Sequence, residues 1–402
     1  MPPKKAAPVE TSTARFGRVK NNLKMGVVGL PNVGKSSLFN LLTSQSAAAE
    51  NFPFCTIEPN EARCPVPDER YDFLCNLWKP PSTQPAYLFV TDIAGLIRGA
   101  SEGAGLGNAF LSHIQAVDGI YHVIRVFEDG DIVHVDDNID PIRDLETIQG
   151  ELCKKDLEIV KKAIQAEELA IRKSGGKLKL SPIFHSTMDK IVNMLENTIP
   201  VRSGEWSSAE VELINEKSSL ITTKPIVYLV NMSQADYVRK KNKWLLKIRN
   251  WIDEHGGGIM IPFSVDYEQQ LWALRDDPEE KEKFIKETGV NTALPKMITT
   301  GYKALNLIYF FTTGEKEVRA WTVYNGAPAP EAASVIHTDF QKAFVKAEIV
   351  SYDDYKSLCN GQKGMAAIKA AGKYRIEGKT YIVRDGDIVH FQIGTLTAPK
   401  KK

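Results

Sequence analysis

The chain has 402 residues, 43% of them hydrophobic and 25% charged. That length suits two or three domains with sizeable cores and excludes a wholly disordered or fibrous chain. The 51 basic and 50 acidic residues leave a formal net charge of +1, so charge-driven binding to nucleic acid or membrane has to come from local patches.

Five cysteines, Cys55, Cys64, Cys75, Cys153 and Cys359, stand far apart with no CxxC pair. This is the usage of a reduced cytosolic chain rather than a disulfide scaffold or zinc site. The start, Met1-Pro2-Pro3-Lys4-Lys5, lacks the apolar run of a signal peptide, and no uncharged stretch nears the roughly 18 residues of a membrane span. A cytoplasmic protein with no membrane partner is expected.

Residues 1–22 read as a flexible tail. An apolar run at 25–28, a Gly/Pro loop and helical spacing over 37–42 then predict strand, loop and helix. Apolar runs at 86–91, 119–124 and 225–230 suit a parallel sheet covered on both faces. Between the last two, Leu145, Ile148, Leu152, Ile159, Ala163, Ala166 and Ala170 recur at helical spacing, and Ser174-Gly175-Gly176 breaks the run. Ile191, Met194 and Leu195 resume it. A helical hairpin inserted into an α/β domain fits, either coiled-coil-like or an ordinary pair of surface helices. From Leu305, short runs at 308–311, 318–323, 344–350, 380–383 and 388–391 predict a small separate α+β domain. Residues 395–402 read as a flexible basic tail.

Gly29-Leu30-Pro31-Asn32-Val33-Gly34-Lys35-Ser36 matches G-x-x-x-x-G-K-[ST] at every fixed position. The backbone N–H groups of Asn32 to Ser36 can wrap a β-phosphate, Lys35 faces the β- and γ-phosphates, and Ser36 is placed to coordinate Mg²⁺. Asp92-Ile93-Ala94-Gly95 follows a predicted strand. As a D-x-x-G it supplies a carboxylate near the metal, Asp92, and a glycine N–H for the γ-phosphate, Gly95. Between the two motifs Thr56 offers a hydroxyl suited to a loop that closes over Mg²⁺.

Leu96 stands where many GTPases place the glutamine that orients the attacking water. Among seven histidines, His134 is the candidate for that task, with His113 and His122 behind it, because it follows the strand at 119–124 in an acidic loop. The amide oxygen of Asn32 makes K⁺ a candidate second cation beside Mg²⁺.

Asn231-Met232-Ser233-Gln234 ends the strand at 225–230, where GTPases carry N-K-x-D. A carboxylate accepts from both N1–H and the 2-amino group of guanine, whereas the Gln234 amide offers one acceptor and a competing donor. Adenine can instead be read by the main chain near Met232. Ser264 belongs to a predicted final loop on the base side, and Asp236 lies two residues past the reading position. This reading favours ATP over GTP.

GLPNVGKS, NFPFCT, DIAGL, NMSQAD and the C-terminal IHTDF and DGD segments together resemble the Obg-like ATPases, the YchF group of Obg-family P-loop NTPases. The resemblance covers residues 23–394. It implies an α/β G domain over 23–284, interrupted by a helical insertion at 140–222, and a ubiquitin-like β-grasp (TGS) domain over 305–388. It also implies nucleotide-binding roles for Asn32, Val33, Gly34, Lys35, Ser36, Ser37 and Met232, and Mg²⁺ ligation by Ser36 and Thr56. Gln234 departs from the glutamate usual in the family. By analogy a ribosomal or ribosomal-RNA partner is expected, with a monomer favoured. The basic runs at 239–249 and 363–384 could track an RNA backbone or form solvated faces. Three activities remain open at this point: an ATPase switch, a true GTPase, and a nucleotide-sensing binding module whose hydrolysis is incidental.

Overall fold

A computed structural model of the chain describes residues 14–49, 60–93, 112–129, 138–175 and 181–394, with main chain alone for 45–49. Among the described residues, seven strands precede residue 264: β1 (Lys24–Val28), β2 (Glu61–Pro65), β3 (Ser82–Gln84), β4 (Tyr87–Asp92), β5 (Gly119–Arg125), β6 (Ile226–Asn231) and β7 (Ile259–Phe263). All but β3 form one sheet in the order β2-β4-β1-β5-β6-β7. β2 is antiparallel to β4, and the remaining pairs are parallel. Every residue of β5 is buried, which is why that strand reads as an unbroken apolar run. β1 lies between β4 and β5, the point where the winding of the sheet reverses. The loop that leaves β1 for helix α1 (Lys35–Ala49) therefore opens at the topological switch point, where α/β sheets bind ligands.

Helix α2 (Glu69–Trp78) begins at Asp68, whose carboxylate caps the N–H groups of Arg70 and Tyr71. After β5 the chain makes the expected hairpin from α3 (Pro141–Lys173) and α4 (Pro182–Glu196), on which α5 (Ser208–Lys217) packs. Asp140 caps α3 and Pro141 occupies its first turn, so the local sequence alone starts that helix. These helices hold their own core around Val160, Phe184, Ile191 and Ile214. The chain returns through residues 221–222, whose N–H groups both bond the fully buried Asp156 carboxylate at 2.7 Å.

Between β6 and the C-terminal sheet run α6 (Gln234–Arg239), α7 (Leu245–Glu254), α8 (Val265–Ala273), α9 (Pro278–Thr288) and α10 (Leu294–Ala304). The second sheet contains β8 (Leu307–Thr313), β9 (Glu317–Tyr324), β10 (Phe344–Ser351), β11 (Arg375–Glu377) and β12 (Asp387–Ile393). Its order is β11-β10-β12-β8-β9-β3, so a strand from the first half of the chain forms its edge. Ser82 pairs with Glu317 and Gln84 with Arg319. At the other end of β9, the Tyr324 N–H donates to Asn21 Oδ1 at 3.1 Å.

Two sequence expectations change here. Residues 380–383 are not a strand: Ile382 makes an isolated bridge to Pro328, with the Ala329 and Val383 N–H groups exchanged across that contact. Residues 15–21, expected within the flexible tail, are tied down. Gly17 N–H donates to Asn215 at 2.9 Å and Arg18 pairs with Asp118 at 2.7 Å.

One continuous core runs from β1 and α1 through α2 and α10 into Phe311, Val318 and Tyr355 of the C-terminal half. Polar contacts reinforce that junction. Arg70 bonds both Asp68 and Asp385, Tyr309 donates its hydroxyl to Asp68, and Trp78 Nε1 donates to the Tyr355 hydroxyl at 3.1 Å.

Candidate functional site

The loop after β1 is shaped by two left-handed residues, Asn32 at φ 61° and Gly34 at φ 99°. Asparagine tolerates that region and glycine is at ease there. A Cβ at Gly34 would lie 2.5 Å from Asn231 Nδ2, so the spacing also demands glycine. Val33 is buried, with only 1% exposure, and anchors the loop in the core. The loop runs directly into α1, whose Leu38 N–H reaches back to the Gly34 carbonyl at 3.0 Å. Ser37 sits half-buried in the first turn. A helix N-terminus with free main-chain donors is a ready anion site.

Lys35 is 8% exposed and donates Nζ to the Leu30 carbonyl at 2.6 Å. Burial lowers its pKa from 10.5 to about 8, and the Asp92 carboxylate works in the opposite direction. Asp92 ends β4 and accepts from Ser36 Oγ at 3.5 Å. Burial raises its pKa, while Lys35 and Ser36 pull it back. An ammonium, a hydroxyl and a carboxylate thus converge in front of the helix N-terminus. The hydroxyl of Ser36 and the carboxylate of Asp92 are hard oxygen donors of the kind Mg²⁺ takes, so these residues fit that cation.

The opposite wall is built around Asn231, which closes β6 and is 2% exposed. Its Nδ2 donates to the Val33 carbonyl at 3.0 Å, and its Oδ1 accepts from the Val265 N–H at 3.1 Å. One amide therefore fastens the β1 loop to the start of α8. Met232 N–H donates to the Phe263 carbonyl at 2.8 Å, and the Met232 side chain lies in the core with Tyr228, Ile248 and Trp251. Ser264 is fully buried and caps α8 through the Tyr267 N–H.

Gln234 opens α6 and makes a reciprocal pair with Gln270 of α8. Gln234 Nε2 donates to Gln270 Oε1 at 2.9 Å, and Gln270 Nε2 donates to Gln234 Oε1 at 2.8 Å. Asp236 takes no part. Against burial, which raises its pKa, hydrogen bonds from Asn242 and Arg239 hold its carboxyl below the usual range. Gln270 is the residue that sequence reasoning missed. The available signal was its place six residues after the Ser264 cap, on the helix that faces α6.

The fold therefore brings together Asn32, Val33, Gly34, Lys35, Ser36, Ser37 and Asp92 on one side and Asn231, Met232 and Ser264 on the other. Thr56, Gly95, Leu96 and His134 lie outside the described residues. His122 is buried in β5, and burial, then Arg202 and Lys35, push its pKa down to about 3, so it stays neutral. His113 is exposed. Each basic run meets a counter-charge from elsewhere in the chain: Lys243 meets Glu128 at 2.9 Å, and Lys373 meets Asp354 at 3.1 Å. Among the described residues, no helix is long and apolar enough to cross a membrane.

Residues 24–162 match the family described as 50S ribosome-binding GTPase. Residues 307–394 match the C-terminal family of YchF-type GTPases, DUF933. Over 406 aligned residues, and 100% of both chains, the sequence is 52% identical to proteins named Obg-like ATPase 1 from Oryza sativa subsp. japonica and from Homo sapiens. A counterpart of the same name from Caenorhabditis elegans is 51% identical over 405 residues. The solved structure of the Schizosaccharomyces pombe YchF GTPase superposes with a TM-score of 0.83 at 48% identity, covering 94% of this chain and 100% of that one.

Proposed function

This chain belongs to the Obg-like ATPase (YchF) family of P-loop nucleotide hydrolases, and from that premise we propose that it hydrolyses ATP to ADP and phosphate, with GTP the weaker substrate. The observation that carries the reading is the convergence of Lys35, Ser36 and Asp92 in front of α1. In this proposal the N–H groups of residues 32–36 and the Lys35 ammonium hold the β- and γ-phosphates, with Ser37 in the same turn. Ser36, Thr56 and Asp92 would hold Mg²⁺, which when bound would neutralise the phosphate charge. Gly95 donates its N–H to the γ-phosphate. Asn231 keeps the two walls in register, while Met232 and Ser264 frame the base.

Preference for adenine is supported by Gln234 in the place of the guanine-reading aspartate, because a single neutral amide cannot accept both guanine donors with the strength of a carboxylate. The relatives' names favour an ATPase, whereas the fission-yeast structure is titled a GTPase. GTP hydrolysis is therefore kept as the second reading.

For the attacking water we propose His134, since Leu96 cannot polarise it. Turnover is then slow, of the order of 10⁻⁴ to 10⁻² s⁻¹ as in unassisted P-loop switches, and Asn32 makes K⁺ more effective than Na⁺. The working setting is a cytoplasmic, monomeric switch that engages the ribosome or its RNA. This part is supported by the ribosome-binding description of the matched family and by the two basic runs. One assay tests the core of the proposal: Mg²⁺-dependent phosphate release from ATP and GTP, in K⁺ and in Na⁺, by the parent and by His134→Ala. Faster ATP turnover that falls at least about tenfold in the variant, or about 1.4 kcal/mol in the barrier, is expected. Faster GTP turnover would replace the first reading by the second.

A further inference from the structure

The wall that faces the base contains a contact that no motif foretells. The Gln234–Gln270 pair joins α6 to α8 by two hydrogen bonds of 2.9 and 2.8 Å. It is built on matched helix faces: Gln234 and Tyr237 stand three residues apart on α6, and Tyr267 and Gln270 three apart on α8. The two tyrosine rings meet at 5.3 Å, and Tyr267 stacks on Phe284 at the same distance. Their hydroxyls donate to the Asn291 and Val290 carbonyls at 2.9 and 2.6 Å. The tyrosines thus fix the helices from which the two amides reach each other.

We propose that Gln270 is a specificity-determining residue, acting by holding the Gln234 amide in this two-hydrogen-bond pair. The inference rests on the reading of residues 231–234 as the base-reading segment. A primary amide has one edge where C=O and N–H lie side by side, and a bidentate contact to a base needs that edge. Gln270 occupies it. Gln234 is left with one oxygen lone pair and one N–H that point apart, so neither adenine nor guanine gains a paired contact from it. Gln270 acts through Gln234 and is a positioning residue.

The proposal predicts shifts of opposite sign. In Gln270→Glu the carboxylate takes the Gln234 N–H and frees its carbonyl, an acceptor that suits the guanine N1–H and 2-amino donors. In Gln270→Lys the ammonium takes the carbonyl and leaves N–H donors, which repel those same guanine groups. Gln270 is exposed, and any change in field acts on both nucleotides alike, cancelling in their affinity ratio. Calorimetric affinities for non-hydrolysed ATP and GTP analogues, at matched Mg²⁺, give the readout. The ratio of GTP to ATP affinity is expected to rise at least threefold in Gln270→Glu and to fall at least threefold in Gln270→Lys. Gln234→Ala is measured alongside. If it moves the ratio while both Gln270 variants stay within twofold of the parent, the role of Gln270 is refuted and the base-reading segment stands. If Gln234→Ala also leaves the ratio unchanged, both fail together.

Discussion

The two ends of the proposed nucleotide cleft are made of different material. At the phosphate end the working groups are main-chain N–H donors and side chains that are themselves buried: Lys35 at 8% exposure, Asn231 at 2%, and the loop carbonyls they bond. At the base end the contact is a pair of exposed side-chain amides lying on two helices. On the proposed reading, phosphate recognition is therefore carried largely by groups packed into the folded core. Base recognition rests on groups that can be exchanged at little structural cost.

The sharpest way to break the contrast is Lys35→Met. The folded pKa of Lys35 is about 8 against 10.5 for the free group, so below pH 8 the folded chain holds an ammonium that water would solvate better. The penalty is fully present there and fades as pH rises toward 10.5, where the unfolded chain loses its proton too. The variant should therefore stabilise the nucleotide-free protein by on the order of 3 kcal/mol at pH 7, with the gain shrinking above pH 8. Nucleotide should no longer raise its resistance to urea. Urea titrations at pH 7 and 9.5, with and without ATP, report both effects, and an unchanged nucleotide-free stability would contradict the burial argument.

Asn231→Ala comes next. It strands the Val33 carbonyl and the Val265 N–H, two buried polar groups at about 1–3 kcal/mol each. A loss of roughly 2–4 kcal/mol in urea unfolding is expected, together with a weaker affinity common to ATP and GTP. A variant that loses only one nucleotide would place Asn231 on the base side.

The smallest effect tests the other end. Gln234→Asp should change unfolding stability by less than about 0.5 kcal/mol, as surface substitutions do, yet shift relative affinity toward GTP about tenfold, the scale of one charge-assisted contact. Competition binding with both nucleotides measures it. The neighbouring change Met232→Lys is unsuited to this purpose, because Met232 lies in the core beside Trp251 and a buried lysine would unfold rather than retune the site.

The phosphate end was legible in the sequence because its rules are local. A glycine that must sit at positive φ, a lysine and a serine at fixed spacing, and an apolar strand before them depend on no distant partner. The continuous apolar runs of β4, β5 and β6 were legible for the same reason. β7 was not, since Pro262 reads as a loop residue and is tolerated only because β7 lies at the sheet edge. β3, with the sequence Ser-Thr-Gln, carries no strand signal of its own and exists through Glu317–Arg319 of the other sheet. Gln270 escaped for a related reason. Its meaning depends on a residue 36 positions away, and a polar residue on an exposed helix face has no pattern that marks it.

β3 also constrains how the molecule can be assembled. The edge of the C-terminal sheet is covered by residues 82–84 at one end of β9 and by Asn21 at the other, both made long before β9 itself emerges during synthesis. The last-made sheet must find a template that has been waiting 235 residues upstream. Loop closure over that distance is slow. Until it happens, β9 offers an open row of N–H and C=O groups to any passing strand. A C-terminal fragment beginning near residue 305 would keep that open row permanently. The two halves of this protein are separable as domains on paper, but only a chain that carries both can seal that edge.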